Sequence, residues 1–173
     1  MKKTAPRKRQ RPIPTMAWHY TVGVWIKPIL NEGIIKQATA RVPNHVRPAA
    51  WFTTSPIWEQ TANTNGQNPE TGEVVFLNAR QTSEAYGGLW RIGAPPDVAP
   101  HTWDDYVTSS NENLQDIKGM EAWANRKGSD YHRDFRCSFK SVSREHWTVI
   151  EWYDWNRGAW RDIGEHEPFR EET

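Results

Sequence analysis

The spacing of apolar and polar residues predicts that the chain opens, after its first fifteen residues, with a strand, a helix and a second strand. The segment "AWHYTV" (17–22) is aromatic and β-branched, which is typical of a short strand. In "VGVWIKPILNEG" (22–33), apolar side chains recur at helical spacing, Gly33 is placed to end the helix, and Pro28 either kinks it or marks its start. The segment "AAWFTTS" (49–55) predicts the second strand.

Further strands and two helices are predicted in the remainder of the chain. The Pro-, Asn- and Gly-rich segment 56–73 predicts a long surface loop. One short helix is expected after Thr102, which can cap it, and another is expected within 112–128. The predicted strands are "EVVFLNA", "GGLWRIGA", "DFRCSFKSV", "HWTVIEWYD" and "AWRDI", the last two joined by the hairpin signal "WNRG". Helices that interrupt such strands predict an α+β fold with a mixed, mainly antiparallel sheet, a few helices and a single domain.

Charge is distributed unevenly along the 173 residues, and this divides the chain into a domain and two tails. Residues 1–31 hold seven of the 22 Lys and Arg and none of the 21 Asp and Glu, so 15 basic and 21 acidic residues remain and give residues 32–173 a net charge of about −6. Residues 1–15 are predicted to form a disordered basic tail, residues 16–163 one α+β domain, and residues 164–173 an acidic tail.

No segment of the chain has the pattern of a targeting or membrane-spanning element. The basic tail lacks the apolar centre of a secretory signal, and no apolar run approaches the ~18 residues of a membrane span. The sequence therefore predicts an intracellular, cytoplasmic protein with no membrane partner. The tail itself is either a solvated leader or an arm that contacts nucleic acid through phosphate groups.

The counts of cysteine, histidine and tryptophan restrict the possible sites. A single cysteine, Cys137, excludes an intramolecular disulfide and a cysteine-built zinc site, and its strand-like surroundings predict a buried thiol. The six histidines lack metal-ligand spacing, so no metal site is predicted. The chain is tryptophan-rich, with 11 tryptophans at no fixed period, which disfavours a repeat architecture and places most of them in the core.

Motifs for phosphate loops, dinucleotide folds, zinc proteases and serine hydrolases are missing from the sequence. What remains is "HYT" (19–21), a following "IL-x-x-G" helix, and "WFTT" (51–54) on the second strand. Together these segments resemble the start of the ADP-ribosyltransferase fold, as it is found in bacterial toxins, poly-ADP-ribose polymerases and RNA 2′-phosphotransferases. The resemblance implies NAD as a substrate.

The resemblance also implies roles for particular residues. His19 would hold the nicotinamide-side ribose through a hydroxyl group, and Thr21 beside it would help to hold the amide. Thr53 or Thr54 would offer a hydroxyl to the nicotinamide. The aromatic side chains that could form the walls around a flat, cationic ring are those of Trp18, Tyr20, Trp51 and Phe52.

The resemblance further implies a glutamate near the C-terminal end of the domain, which would stabilise the positive charge that develops on the sugar when the nicotinamide leaves. The segment "SREHWTVIEWYD" offers Glu145 just before a predicted strand and Glu151 within it. Glu145 fits the family pattern better, and Glu151 is the second choice. Alternation along an extended chain would direct both side chains to the same face.

The resemblance implies an NAD-dependent mono-ADP-ribosyltransferase, a glycosyl-transferring enzyme, of the kind that serves as a bacterial or phage effector or toxin and modifies a protein or nucleic acid. An alternative is a non-enzymatic binding module of a phage or mobile element that grips nucleic acid or a protein through its aromatic strands and basic tail. Two local alternatives also stay open. His19 could be a satisfied core residue, and Trp58 with Glu59 could form a lid over the pocket or merely pin their loop.

Overall fold

The computed structural model describes residues 15–68 and 70–165. The predicted basic tail, residues 1–15, therefore lies outside the described residues except for Thr15. The predicted acidic tail, residues 164–173, lies outside them except for Gly164 and Glu165, which belong to a short 3₁₀ turn.

A seven-stranded sheet forms the centre of the described fold, with the strand order β11-β10-β6-β1-β3-β8-β7. Two further pairs, β2–β9 and β4–β5, lie outside it. The strands, numbered in chain order, are β1 (Ala17–Val22), β2 (Ile34–Ile35), β3 (Ala50–Thr53), β4 (Asn65–Gln67), β5 (Val74–Phe76), β6 (Leu89–Ala94), β7 (His101–Thr102), β8 (Phe135–Ser138), β9 (Val142–Ser143), β10 (Val149–Asp154) and β11 (Ala159–Asp162). All pairings between these strands are antiparallel.

Helices connect the strands at positions that local sequence explains. The helices are α1 (Gly23–Glu32), α2 (Ala79–Tyr86), α3 (Trp103–Ser109), α4 (Leu114–Arg126) and α5 (Tyr131–Asp134). As predicted, Gly33 ends α1 in the left-handed conformation with φ 67°, and Thr102 caps α3 through a reciprocal bond with Asp105. Helix α2 was not predicted, although Asn78 and Gln81 form the same kind of capping box at its start. The prediction of a single α+β domain with a mainly antiparallel sheet and a few helices is confirmed, whereas the parallel pairs of a mixed sheet are not found among the described strands.

Two apolar clusters lie against the sheet. One contains Phe52 and Ile92 and includes Ile26 of α1. The other contains Trp103 and Tyr106 of α3, together with residues of α4, α5 and β8. Alternation along the strands explains the separation, since neighbouring residues of one strand point to opposite faces.

The pairing of β1 is complete on one side and interrupted on the other. All six residues of β1 pair with β6, whereas β1 and β3 pair through Trp18 and Thr53. Beyond that pair the two central strands separate. The gap exposes side chains from both strands to the space in front of α4, and this is where the candidate site lies.

Candidate functional site

A cavity of about 320 Å³ occupies the gap between β1 and β3. Its walls come from these strands, the 3₁₀ turn Gln60–Ala62 with the preceding Glu59, α4, α5 and the start of β8. Seven of its lining side chains are aromatic rings, and the lining contains no Lys or Arg. The lining residues are Trp18, His19, Tyr20, Trp51, Phe52, Thr53, Glu59, Thr61, Ala62, Met120, Trp123, Tyr131 and Phe135.

His19 lies where the two strands diverge, and it is half-buried. Its Nδ1 is 2.9 Å from the carbonyl oxygen of Trp51, and its ring centroid is 5.6 Å from that of Phe52. Burial lowers the pKa of His19 below 6.5, although the bond to the carbonyl opposes this shift, so the ring is neutral at pH 7. Because a carbonyl only accepts, Nδ1 carries the proton and donates it. Nε2 is then an acceptor, and it has no hydrogen-bond partner within residues 15–68 and 70–165.

The corner after β3 is fixed by hydrogen bonds that also position Tyr20. The phenol of Tyr20 donates to the carbonyl oxygen of Ser55 at 3.0 Å, and Oγ1 of Thr53 accepts from the Ser55 backbone at 3.1 Å. Burial raises the pKa of Tyr20 to about 12, so the phenol stays protonated and can donate. The backbone N–H of Thr54 donates to the Asp134 carbonyl at 2.8 Å.

The cavity brings together six of the eight residues predicted to surround NAD and leaves two outside its lining. The six that line it are Trp18, His19, Tyr20, Trp51, Phe52 and Thr53. Thr21 is buried in the sheet, and Thr54 is partly buried against the α5 end, so neither lines the cavity. Of the two threonines that the resemblance offered for the nicotinamide, Thr53 is the one at the cavity.

The two glutamates predicted to be catalytic, Glu145 and Glu151, do not line the cavity. Glu145 is in a 3₁₀ turn, Arg144–His146, before β10, and its side chain is 76% exposed. It accepts from the Ser143 hydroxyl at 2.9 Å, with His146 Nε2 3.5 Å away. Because Glu145 is not in the strand, the alternation that would have aligned it with Glu151 does not apply.

Glu151 is in β10 and neutralises a buried arginine. Its Oε2 lies 2.5 Å from Nε of Arg91, whose guanidinium also donates to the carbonyl oxygen of Pro56. The guanidinium carbon of Arg91 is 3.8 Å from the ring centroid of Trp18 and 4.4 Å from that of Trp160. Arg91 is the register partner of both Tyr20 on β1 and Glu151 on β10, and neither Arg91 nor Glu151 lines the cavity.

Glu59 is the carboxylate that lines the cavity, and sequence reasoning gave it no role in binding or catalysis. The residue is 8% exposed. Its Oε1 accepts from the backbone and hydroxyl of Thr61, each at 3.1 Å, and from the hydroxyl of Ser129. The preceding Trp58 packs on Tyr20 at 5.3 Å and on Trp160 at 6.4 Å between ring centroids. The sequence feature that could have indicated Glu59 is a tryptophan next to a carboxylate in a polar loop. Such a tryptophan has to pack against the protein, and its packing fixes the position of the neighbouring carboxylate.

Positive charge gathers outside one wall of the cavity. Lys127 Nζ is 4.7 Å from the ring centroid of Trp123, and the guanidinium carbon of Arg126 is 5.9 Å from it. Trp123 is partly exposed and packs on the exposed ring of Phe76 at 4.9 Å, so this wall reaches the surface. The site therefore combines a buried carboxylate inside with basic groups at its Trp123 wall.

Comparison with known proteins adds no relative: no family model, no curated protein and no solved structure matches the chain significantly. In the part of the chain that the structure describes, no group of three or more His, Cys, Asp or Glu is placed to hold a metal ion. Among the same residues, no helix has both the length and the apolar character that crossing a bilayer requires.

Proposed function

We propose that the protein is an NAD-dependent mono-ADP-ribosyltransferase of the ADP-ribosyltransferase-like fold, which transfers ADP-ribose from NAD to a protein or nucleic acid. The observation that supports this most is the state of His19. His19 is neutral, its Nε2 has no hydrogen-bond partner among the described residues, and the residue lines a cavity with seven aromatic rings. Such an acceptor suits a sugar hydroxyl, which is the partner that the resemblance implies for this histidine.

The dimensions and polarity of the cavity suit one end of NAD. A volume of about 320 Å³ is at the lower limit of the ~300–1,000 Å³ usual for ligand pockets, so it suits the nicotinamide and its ribose. The aromatic walls suit a flat ring that carries positive charge. Lys127 and Arg126, outside the Trp123 wall, suit the pyrophosphate of the same molecule.

The chemistry proposed is a substitution at the sugar carbon that carries the nicotinamide. The bond from that carbon to the ring nitrogen breaks, its electron pair stays with the nitrogen, and neutral nicotinamide leaves. A nucleophile of the acceptor forms the new bond to the same carbon and loses its proton. His19 would orient the sugar, the aromatic rings would hold the leaving group, and a nearby carboxylate would stabilise the positive charge of the transition state.

Titration calorimetry with NAD tests the proposal, together with chromatography of released nicotinamide and labelling of macromolecules in an extract with a tagged NAD. We expect His19→Ala to weaken NAD binding about tenfold, since a hydrogen bond to the ligand is lost. His45→Ala is the matched control, because His45 is exposed and does not line the cavity. If the wild-type chain neither binds NAD nor releases nicotinamide, the proposed function is wrong.

The other predicted function, a nucleic-acid or protein binding module, depends on the basic tail. Residues 1–14 lie outside the described residues, so that function stays a prediction. It would show as affinity for nucleic acid that falls steeply with salt and disappears when those residues are removed.

A further inference from the structure

The carboxylate of Glu59 is buried, and only one of its two oxygens accepts hydrogen bonds. All three hydrogen bonds that it accepts, two from Thr61 and one from Ser129, go to Oε1. Within residues 15–68 and 70–165, Oε2 has neither a hydrogen-bond donor nor a basic side chain within salt-bridge distance. Oε2 is not among the fully enclosed polar atoms without a partner, so it is not sealed off by protein, and Glu59 is one of the residues that line the cavity.

No other lining residue offsets this charge. The lining holds no Lys or Arg, and His19 is neutral because its pKa is lowered by burial. The negative charge of Glu59 is also felt by two lining phenols. Burial first, and the charge of Glu59 in addition, raises the pKa of Tyr20 and that of Tyr131, each to about 12. A carboxylate taken out of water without a counter-charge is costly, so a cation entering the cavity recovers part of that cost.

The walls that surround the carboxylate favour one kind of cation. Seven aromatic rings line the cavity, among them Trp18, Trp51 and Trp123. Their faces attract positive charge, and they also bury apolar surface, which an inorganic cation lacks. A hydrated metal ion would need several oxygen ligands, whereas the cavity offers a single carboxylate.

We propose that this cavity is a binding site for a flat organic cation of the N-alkylpyridinium class, in which Oε2 of Glu59 supplies the counter-charge and the aromatic rings supply the walls. The biological meaning of such a site rests on the proposed function, because NAD carries a ring of this class. The recognition itself depends only on the carboxylate and the rings. In this proposal, Glu59 is the residue that makes the site prefer a cationic ligand over a neutral one.

The test compares two small probes of the same shape. 1-Methylnicotinamide is a cation, and 3-methylbenzamide is its neutral isostere, with carbon in place of the ring nitrogen. Calorimetric titration of the whole chain should show at least about tenfold tighter binding of the cation, the effect of a cation–π contact reinforced by one buried carboxylate. Equal affinities in the wild-type chain would overturn the proposal without recourse to any variant.

The Glu59→Gln variant then assigns the preference to one residue. Gln keeps an oxygen that can accept from Thr61 and Ser129, so the fold is retained while the charge is lost. We expect the cation to bind about tenfold more weakly and the neutral probe to change little. Glu73→Gln is the matched control, because Glu73 is exposed in the same connection between β3 and β5. A charge preference that survives Glu59→Gln in a folded chain would contradict the assignment.

The outcomes separate this site from the proposed enzyme. If 1-methylnicotinamide binds with the expected preference but NAD neither binds nor loses its nicotinamide, the cation site stands and the proposed function fails. If NAD is bound and cleaved while the two probes bind equally, the enzyme stands and Glu59 does not select the charge.

Discussion

The Glu151→Gln substitution removes the negative charge that neutralises Arg91 inside the sheet. Both side chains are largely buried, at 8% exposure for Arg91 and 15% for Glu151, and their Nε and Oε2 atoms are 2.5 Å apart. Arg91 also donates to the Pro56 carbonyl and lies between the rings of Trp18 and Trp160. These other contacts hold the guanidinium in place, so it cannot move into water when its partner is lost.

The expected cost follows from this confinement. Two unit charges about 4 Å apart interact by about 4 kcal/mol at an effective dielectric constant of about 20, and breaking a buried pair by removing one partner costs about 3–5 kcal/mol. Because Gln still accepts one hydrogen bond, we expect a loss of about 3 kcal/mol in the free energy of unfolding. Arg91→Gln should cost more, since its two ring contacts contribute about 0.5–2 kcal/mol each.

Urea denaturation followed by tryptophan fluorescence measures these losses, and the double variant Arg91→Gln/Glu151→Gln closes a thermodynamic cycle. We expect a coupling energy of about 2 kcal/mol between the two substitutions. A loss below about 1 kcal/mol for Glu151→Gln, typical of an exposed ion pair, would refute the reasoning. The same variants test the predicted catalytic role of Glu151. If the residue is structural, NAD turnover per folded molecule should be unchanged in Glu151→Gln.

Two further predictions concern buried titratable groups. The pKa of His19 is lowered by burial, so the unfolded chain binds a proton near pH 6.5 before the folded chain does. Stability should therefore be full above that pH and fall below it by up to about 1.4 kcal/mol per pH unit, and urea denaturation of His19→Gln should show a smaller decline if this group is responsible. Burial also raises the pKa of the Cys137 thiol to about 12, and the residue is completely enclosed, as the sequence predicted. At pH 8 a disulfide reagent should label the native chain about a thousandfold more slowly than the urea-unfolded chain, and comparable rates would contradict this burial.

The elements that the sequence predicts well are those whose signals are local. The strand 17–22, the helix that Gly33 ends, and the helix that Thr102 caps all form where they are expected. The errors arise where tertiary context decides. The predicted strand "EVVFLNA" forms only as Val74–Phe76, and it pairs in an exposed hairpin with Asn65–Gln67, a strand inside the segment predicted to be a loop.

The residues of the candidate site also fall into those that local sequence predicts and those that tertiary structure decides. His19, Tyr20 and the "WFT" residues could be grouped from sequence because they belong to two adjacent strands. The position of the carboxylate could not be predicted in this way. Glu145 is near Glu151 in sequence, but a 3₁₀ turn takes it out of the strand and into solvent. Nearness in sequence therefore says little about which carboxylate reaches a cavity.

Glu59 reaches the cavity because of contacts with distant parts of the chain. Its backbone is extended, with φ −80° and ψ 114°, so it and Trp58 project to opposite sides. Trp58 packs against Tyr20 and Trp160, and its Nε1 donates to Asn63 at 2.8 Å. Ser129, seventy residues further along the chain, holds the Glu59 carboxylate. The loop predicted as either a lid or a pinned segment thus contributes a wall of the cavity, in which Trp58 packs on one side and Glu59 lies at the lining.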